Sequence, residues 1–306
     1  MGVVKVSLTH GLWRYIMKKK VLRNFVWFPI LAYIVLLAGS IPAGIVDISS
    51  DSLNLSAVSK FVFVDLALGF AGISLLVFSI VKFREKRSLA DIGLTKKNAF
   101  KDYLKGFIVG MVMMGIATFV IYLLGGMKLE LTATNVGLAM IPSVLFTLIG
   151  WTIQGSTEEI LTRGWMLPQL SERYNFYVGV IVTSVFFMAF HLGNNGISIM
   201  PVLNLTLFAV FAALYAAKAK NIWGICGFHV SWNWMQGNLL GIEVSGSSVP
   251  GGSLIKLQGV GNELISGGGF GVEGSIISSI VFAVAIVYLV IQLKKEHSDL
   301  SKVGVY

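Results

Sequence analysis

Three short segments of this chain place acidic, basic, imidazole and amide side chains within otherwise apolar sequence. These residues are Glu158, Glu159, Arg163, His191, His229 and Asn233. A carboxylate in a dry pocket can act as a general base toward water, and an imidazole can hold the same water. A second imidazole and a carboxamide can donate hydrogen bonds to a developing oxyanion. If these residues meet, they suffice for attack of water on an amide carbonyl, without a Ser or Cys nucleophile and without an HExxH motif.

Helical spacing divides the first segment into two faces. Glu159 and Arg163 are four residues apart with the acid first, which is the favourable order for an ion pair along a helix. Glu158 shares a stripe with Gln154 and Thr162 and has no charged partner on its own helix. A charge at the bilayer centre costs about 2.5–3.5 kcal/mol or more, so such a carboxylate indicates a function. A purely structural ion pair is the alternative role of Glu159 and Arg163.

The other two segments also have one-turn spacing. His229 and Asn233 lie on one face of a predicted helix, and Phe187 and His191 lie on one face of another. Taken alone, His229 and Asn233 are more typical of interhelical hydrogen bonding than of catalysis. His191 taken alone is more typical of a buried histidine with satisfied hydrogen bonds. Their combination with Glu158 favours a catalytic interpretation.

The depth of each residue provides a test of whether they converge. We expect Pro168 to end its helix near residue 167, which places Glu158 about 13 Å from that end by helical rise. If the helix that carries them begins at Asn221, the same rise places His229 about 12 Å and Asn233 about 18 Å from its cytoplasmic end. His191 lies about 22 Å from a helix start at Phe176. This depth agrees least well with the depths of the other three residues.

Composition predicts the environment of these segments. The chain is 55% hydrophobic and 13% charged, whereas soluble domains carry about 25% charged residues. Eight apolar runs reach or approach the roughly 20 residues that cross a bilayer as a helix. The runs are 25–46, 61–81, 107–127, 137–158, 176–194, 199–217, 221–241 and 275–293. We therefore predict an all-α fold, a polytopic membrane helical bundle of about eight transmembrane helices.

The Lys and Arg residues predict how the bundle is oriented. With eight spans, 21 of the 24 fall on one side, and only Lys60, Lys128 and Lys256 fall on the other. Positive charge marks the cytoplasmic side, so both termini are expected in the cytoplasm and the membrane is expected to be a bacterial-type plasma membrane. The net charge of +9 lies in these connectors, which argues against nucleic acid as a partner.

At the polar segments the chain resembles the CPBP intramembrane proteases, a group of CAAX proteases and bacteriocin-processing or immunity proteins that includes the type II CAAX prenyl endopeptidases. The similar motifs are Glu158-Glu159-x-x-x-Arg163, Phe187-x-x-x-His191 and His229-x-x-x-Asn233. The resemblance covers roughly residues 140–240, and residues 89–94 resemble the short segment that precedes the family's core.

The resemblance implies a role for each residue. Glu158 would activate the hydrolytic water, and His191 would help to bind it. His229 and Asn233 would form the oxyanion hole. The residues expected to support the site are Glu159, Arg163 and Phe187. Family members have been described both as metalloproteases and as metal-independent glutamate proteases. Zinc, which His and Glu often bind, could be held by Glu158, His191 and His229, although a site without metal is favoured.

The predicted organisation follows from these spans and motifs. The parts are a cytoplasmic basic segment (1–24), a three-span region (25–127), a catalytic core (137–241), a Gly-rich external loop (242–274), and a last span with a cytoplasmic tail (275–306). The interpretation favoured by the motifs is an endopeptidase that acts on a membrane-associated peptide or protein. Candidate substrates are a prenylated CAAX peptide, a bacteriocin or its leader peptide, and another membrane protein.

Two other functions stay open at this point. Buried Glu and His residues also occur in transporters and proton relays, but those proteins are typically built from inverted repeats with broken helices in both halves. The polar residues here concentrate in the later spans. An immunity or regulatory protein that binds a peptide without cleaving it is the other alternative.

Overall fold

A computed structural model describes residues 27–49, 55–131 and 134–306, so the predicted basic segment 1–24 lies outside the described residues. The described chain folds into a bundle of helices, and the longest connection between them is the segment 240–275 before the last helix. The main helices are α1 (Trp27–Ser49), α2 (Ala57–Arg84), α3 (Ala99–Leu123), α4 (Leu138–Arg173), α5 (Phe176–Phe190), α6 (Ile199–Ala219), α7 (Trp223–Trp234) and α8 (Ile276–Glu296).

Within the described residues, six of these helices are long and apolar enough to cross a membrane: α1 to α4, α6 and α8. The predicted helical membrane bundle is therefore confirmed, whereas the count of eight spans is not. The α-helical parts of α5 and α7 have 15 and 12 residues, which corresponds to about 22 and 18 Å. The hydrocarbon core is roughly 30 Å thick. These two short helices carry the predicted histidines and Asn233.

Helix α4 changes its winding at the first motif. Its parts are a 3-10 turn (Leu138–Met140), an α-helix (Ile141–Glu159), a π-helical segment (Ile160–Met166) and a second α-helix (Leu167–Arg173). The expectation that Pro168 ends this helix is wrong, because Pro168 lies in the first turn of the second α-helical part, where its missing N–H is tolerated.

Tyr306 supplies the hydrogen bond that Pro168 cannot make. In the π-helical segment the N–H of Leu167 bonds to the carbonyl of Thr162, five residues before it. Residue 168 would bond to Arg163 in the same pattern, but a proline has no N–H. The carbonyl of Arg163 accepts a hydrogen bond from the hydroxyl of Tyr306 at 2.9 Å instead.

Glycines bring α7 close to α3. A Cβ atom added at Gly106 would lie 1.7 Å from the carbonyl oxygen of Gly224, and one added at Gly227 would lie 2.1 Å from that of Tyr103. Small residues allow helix backbones in a membrane to approach in this way. The contact fixes the position of α7, which carries His229 and Asn233.

The connections at the two ends of the bundle are also ordered. At one end β1 (Met127–Leu129) pairs antiparallel with β2 (Leu257–Gly259). Helix α7 continues as a π-helical segment over Met235–Leu239. The remaining short elements are the helical turn Glu263–Ser266 and the 3-10 turns Leu89–Ile92, Gly268–Phe270, Val272–Gly274 and Leu300–Lys302. At the other end Ile92 is fully buried, and the carbonyl of Gly93 accepts a hydrogen bond from the N–H of Ile222, just before α7.

Candidate active site

The four predicted catalytic residues line one cavity of about 240 Å³. Glu158 comes from α4, His191 from the end of α5, and His229 and Asn233 from α7. All four side chains are buried. The rest of the wall is mainly aromatic and aliphatic, with Phe208 of α6 among its residues. The structure therefore brings together the residues that the sequence analysis selected, while their catalytic roles stay predictions.

The two carboxylate oxygens of Glu158 have different surroundings. Oε1 accepts a hydrogen bond from Nε2 of Gln154 at 2.6 Å. Oε2 lies 3.7 Å from Nε2 of His229 and, within the part of the chain that the structure describes, has no hydrogen-bond partner. An unsatisfied buried carboxylate oxygen is costly, and one that faces a cavity is placed to accept a hydrogen bond from water.

Gln154 links Glu158 to Asn233. While its Nε2 donates to Glu158, its Oε1 accepts a hydrogen bond from Nδ2 of Asn233 at 3.2 Å. The sequence analysis placed Gln154 on the same helical stripe as Glu158 but assigned it no function. The sequence signal for a role of Gln154 was its position four residues before Glu158. The hydrogen bond to Asn233 on α7 is visible only in the structure.

Glu159 orients His229. Its Oε1 lies 2.9 Å from Nδ1 of His229 and 3.0 Å from Nη1 of Arg163. An imidazole that donates its Nδ1–H to a carboxylate holds its Nε2 in a fixed direction. Here Nε2 faces Glu158 and the cavity. Glu159, predicted to support the site, thus contacts both His229 and Arg163.

Arg163 joins α4 to α5 and α6. Its guanidinium group donates to the carbonyl of Ala209 at 3.1 Å and lies 4.7 Å from the centre of the Phe187 ring. Arg163 is fully buried, so its charge depends on these partners. The carbonyl of Phe187 in turn lies 2.8 Å from Nδ1 of His191, which leaves the other ring nitrogen of His191 available in the cavity.

Comparison with protein families identifies the region that contains this site. Residues 140–235 match the family described as type II CAAX prenyl endopeptidase Rce1-like. This range includes all four predicted catalytic residues. Residues 140–235 are an Rce1-like domain. No curated protein matches the chain, and no solved structure matches it. The six apolar helices together with this match indicate an integral membrane protein, in which residues 140–235, about a third of the chain, are similar to the Rce1-like family.

The Rce1-like domain does not present a ready zinc site. Glu158, His191 and His229 offer donor types that zinc uses. Across residues 27–49, 55–131 and 134–306, however, no three His, Cys, Asp or Glu side chains are grouped so that they could hold a metal ion. Nδ1 of each histidine is engaged, by Glu159 and by the carbonyl of Phe187, so a metal ion would have to bind at Nε2. That the site works without metal stays a prediction.

A second carboxylate, Glu273, enters the cavity from outside the Rce1-like domain. It accepts hydrogen bonds from Nε1 of Trp232 at 3.1 Å and from the N–H and hydroxyl of Ser245 at 2.8 and 2.7 Å. Burial raises the pKa of the Glu273 carboxyl, and the hydrogen bonds from Ser245 oppose that shift. The sequence analysis treated this region only as a Gly-rich loop and missed Glu273.

Proposed function

We propose that this protein is an intramembrane endopeptidase that hydrolyses a peptide bond of a membrane-associated peptide or protein. The observation that carries the proposal is that Glu158 lines one cavity with His191, His229 and Asn233, and that its Oε2 has no hydrogen-bond partner among the described residues. The match of this region to a family of CAAX prenyl endopeptidases supports the same function.

The proposed reaction uses water as the nucleophile. Oε2 of Glu158 takes a proton from a water molecule that His191 helps to hold, and the water oxygen attacks the peptide carbonyl carbon. The negative charge on the former carbonyl oxygen is stabilised by an N–H of Asn233 and by Nε2–H of His229. His229 acts here as an imidazolium, because its Nδ1–H already donates to Glu159. Collapse of this intermediate breaks the C–N bond, and the proton on Glu158 passes to the leaving amine. The products are a carboxylic acid, which ionises by passing its proton to water or to the amine, and a free amine.

The supporting residues keep these groups in position. Glu159 holds the ring of His229, and Arg163 neutralises the charge of Glu159. Phe187 contacts the guanidinium group of Arg163 and accepts from His191 through its carbonyl. A site that holds its groups in place before substrate binds avoids the cost of reorganising them during the reaction.

The apolar wall of the cavity suits a substrate that is held at the membrane. Aromatic residues such as Phe208 and Trp232 line it beside the polar groups, so we expect large apolar groups near the bond that is cleaved. A prenylated CAAX peptide, a bacteriocin leader peptide and a segment of another membrane protein all meet this requirement. The distribution of Lys and Arg supports cleavage in a bacterial-type plasma membrane with both termini in the cytoplasm.

The activity is expected to survive removal of metal ions. Because the proposed base is a carboxylate and the proposed oxyanion donors are N–H groups, no step requires a metal. The purified protein in detergent is incubated with fluorogenic peptides before and after treatment with EDTA and 1,10-phenanthroline, and the products are identified by mass spectrometry. We expect cleavage at one bond and a change of less than about twofold after chelation. Loss of cleavage that added zinc restores would overturn metal independence, and no cleavage under any condition would overturn the proposed function.

Replacing Gln154 by leucine is expected to lower kcat by about 10- to 100-fold with little change in KM. The substitution removes the donor to Glu158 and the acceptor for Asn233, and a hydrogen bond to a charged group contributes about 1.5–3 kcal/mol. Gln169→Leu on the same helix is the control, because Gln169 bonds to Glu85 and lies outside the cavity. A Gln154→Leu protein with the kcat of the wild type would show that this amide does not act on the site.

A further inference from the structure

A tight turn closes part of the cavity from the Gly-rich loop. Residues 244–247, here called the cap turn, are joined by two hydrogen bonds between the backbones of Val244 and Ser247, each of 2.9 Å. Ser245 and Gly246 both have positive φ, at 48° and 81°, as in the type I′ turns that close hairpins. Val244, Ser245 and Ser247 line the cavity, so the cap turn contacts whatever occupies it.

Glu273 holds the cap turn in place from one side. Both hydrogen bonds to Oε2 come from Ser245, one from its N–H and one from its hydroxyl. A serine with positive φ is disfavoured by roughly 1 kcal/mol or more, and hydrogen bonds to a carboxylate are strong enough to offset this cost. The carbonyl of Glu273 is fixed as well, because Asn204 of α6 donates to it at 2.7 Å.

The loop after His191 holds the cap turn from the other side. Nδ2 of Asn194 donates to the carbonyl of Ser245 at 3.0 Å. Gly246 packs so closely on Asn195 that an added Cβ would lie 1.9 Å from its carbonyl oxygen. The cap turn is therefore fixed between the segment that carries His191 and the carboxylate of Glu273.

The same carboxylate reaches the helix of the oxyanion residues. Oε1 of Glu273 accepts from Nε1 of Trp232, the residue immediately before Asn233 on α7. Glu273 thus fixes the distance between the cap turn and α7. The width of the cavity between Val244 and the polar groups depends on that distance.

We propose that the cap turn determines which side chains the cavity accepts beside the scissile bond, and that Glu273 is the positioning residue that sets its place. The proposal rests on the proposed peptidase function and deepens it, since it names the part of the protein that selects the substrate. Because the wall at Val244 is apolar and fixed, the selected feature is the size of an apolar side chain, and a pocket of defined size discriminates single methylene groups by about 10- to 200-fold at most.

Binding experiments in the Glu158→Gln protein test the cap turn separately from catalysis. The probes are fluorescein-labelled peptides that differ only in one central residue, Ala, Leu or Phe, and their Kd values are measured by fluorescence anisotropy in detergent. We expect Val244→Phe to weaken binding of the Phe peptide relative to the Ala peptide by about tenfold, and Val244→Ala to change the ratio in the opposite direction. Ser247 is at an exposed position of the same turn, so Ser247→Phe should leave folding unchanged. It should weaken binding of the Phe peptide relative to the Ala peptide, as Val244→Phe does.

Glu273→Gln tests the positioning role. It keeps the size of the side chain but replaces one acceptor oxygen by a donor, so we expect the differences in Kd among the three peptides to shrink toward a factor of one. Glu263→Gln, an exposed acid in the same loop, should leave them unchanged. Ratios within twofold of the parent protein in all the cap-turn and Glu273 variants, or no binding of any peptide, would overturn the proposal. A wild-type protein that binds peptides selectively but never cleaves them would refute the peptidase function and leave the cap turn supported.

Discussion

Glu158→Gln is expected to reduce kcat for peptide hydrolysis by about 10²–10⁴-fold, the range contributed by a general base. Glutamine has nearly the shape of glutamate, and its carbonyl oxygen can still accept the hydrogen bond from Gln154 that Oε1 accepts now. The amide that replaces Oε2 has no basic lone pair for a proton of water. We therefore expect the protein to fold and to bind peptide as before while turnover is lost. Turnover is measured with purified protein and a fluorogenic peptide, and binding by fluorescence anisotropy.

Glu263→Gln is the matched control, because it makes the same chemical change at an exposed position outside the cavity. It should retain full activity. Equal turnover in the Glu158→Gln and wild-type proteins would remove Glu158 from the reaction. A protein that binds peptides without cleaving them, such as an immunity protein, would show no turnover in either form and unchanged binding in both.

Much of the fold could be predicted because lipid imposes simple rules on sequence. Long apolar runs predicted α1, α6 and α8 to within three residues of their observed ends. The short helices α5 and α7 were predicted as full spans, because the predicted runs included residues 191–194 after α5 and the π-helical segment Met235–Leu239 after α7. Hydropathy averaged over a run does not show where the α-helix within it ends.

The end of α4 could not be predicted from Pro168 alone. Proline predicts a helix end because it has no N–H to donate. Here the hydroxyl of Tyr306, which is distant in sequence, donates to the carbonyl of Arg163, which would otherwise lack a hydrogen bond in the π-helical segment. With α4 continuing to Arg173, Glu158 lies about 22 Å from that end by helical rise. His191 is the same number of residues from the start of α5, so these two depths agree once the helix end is corrected. The depths of His229 and Asn233 on the shorter helix α7 then no longer match that of Glu158, so helical rise alone does not predict that the four residues meet.

Some residues of the site could be predicted from the sequence and one could not. Glu158, His191, His229 and Asn233 could be selected from sequence because polar groups inside apolar runs are costly and conspicuous. Glu273 lies in a loop with no periodic pattern, where the sequence does not distinguish a buried carboxylate from a solvent-exposed one. Only the tertiary contacts with Trp232 and Ser245 show that it reaches the cavity.

The ion pair beneath the site gives the largest expected effect on stability. Arg163 and Glu159 are both fully buried and 3.0 Å apart. Removing one partner of a buried pair leaves a charge without compensation and typically costs about 3–5 kcal/mol. Arg163→Met is therefore expected to lower the free energy of unfolding by that amount, as measured by denaturant unfolding in detergent with tryptophan fluorescence. Arg173→Met, at an exposed position at the end of the same helix, should change it by less than about 0.5 kcal/mol.

The double variant Glu159→Gln/Arg163→Met separates the charge from the packing. A buried pair replaced by uncharged groups often costs little, so the double variant should regain most of the stability that Arg163→Met loses. It should not regain activity, because an amide at position 159 binds Nδ1 of His229 more weakly than a carboxylate does. A double variant as unstable as Arg163→Met would mean that the guanidinium group acts through its contacts with Phe187 and Ala209 rather than through its charge. Recovery of stability without recovery of turnover would show that the two residues have different roles. Arg163 stabilises the buried charge of Glu159, and Glu159 orients the imidazole of His229.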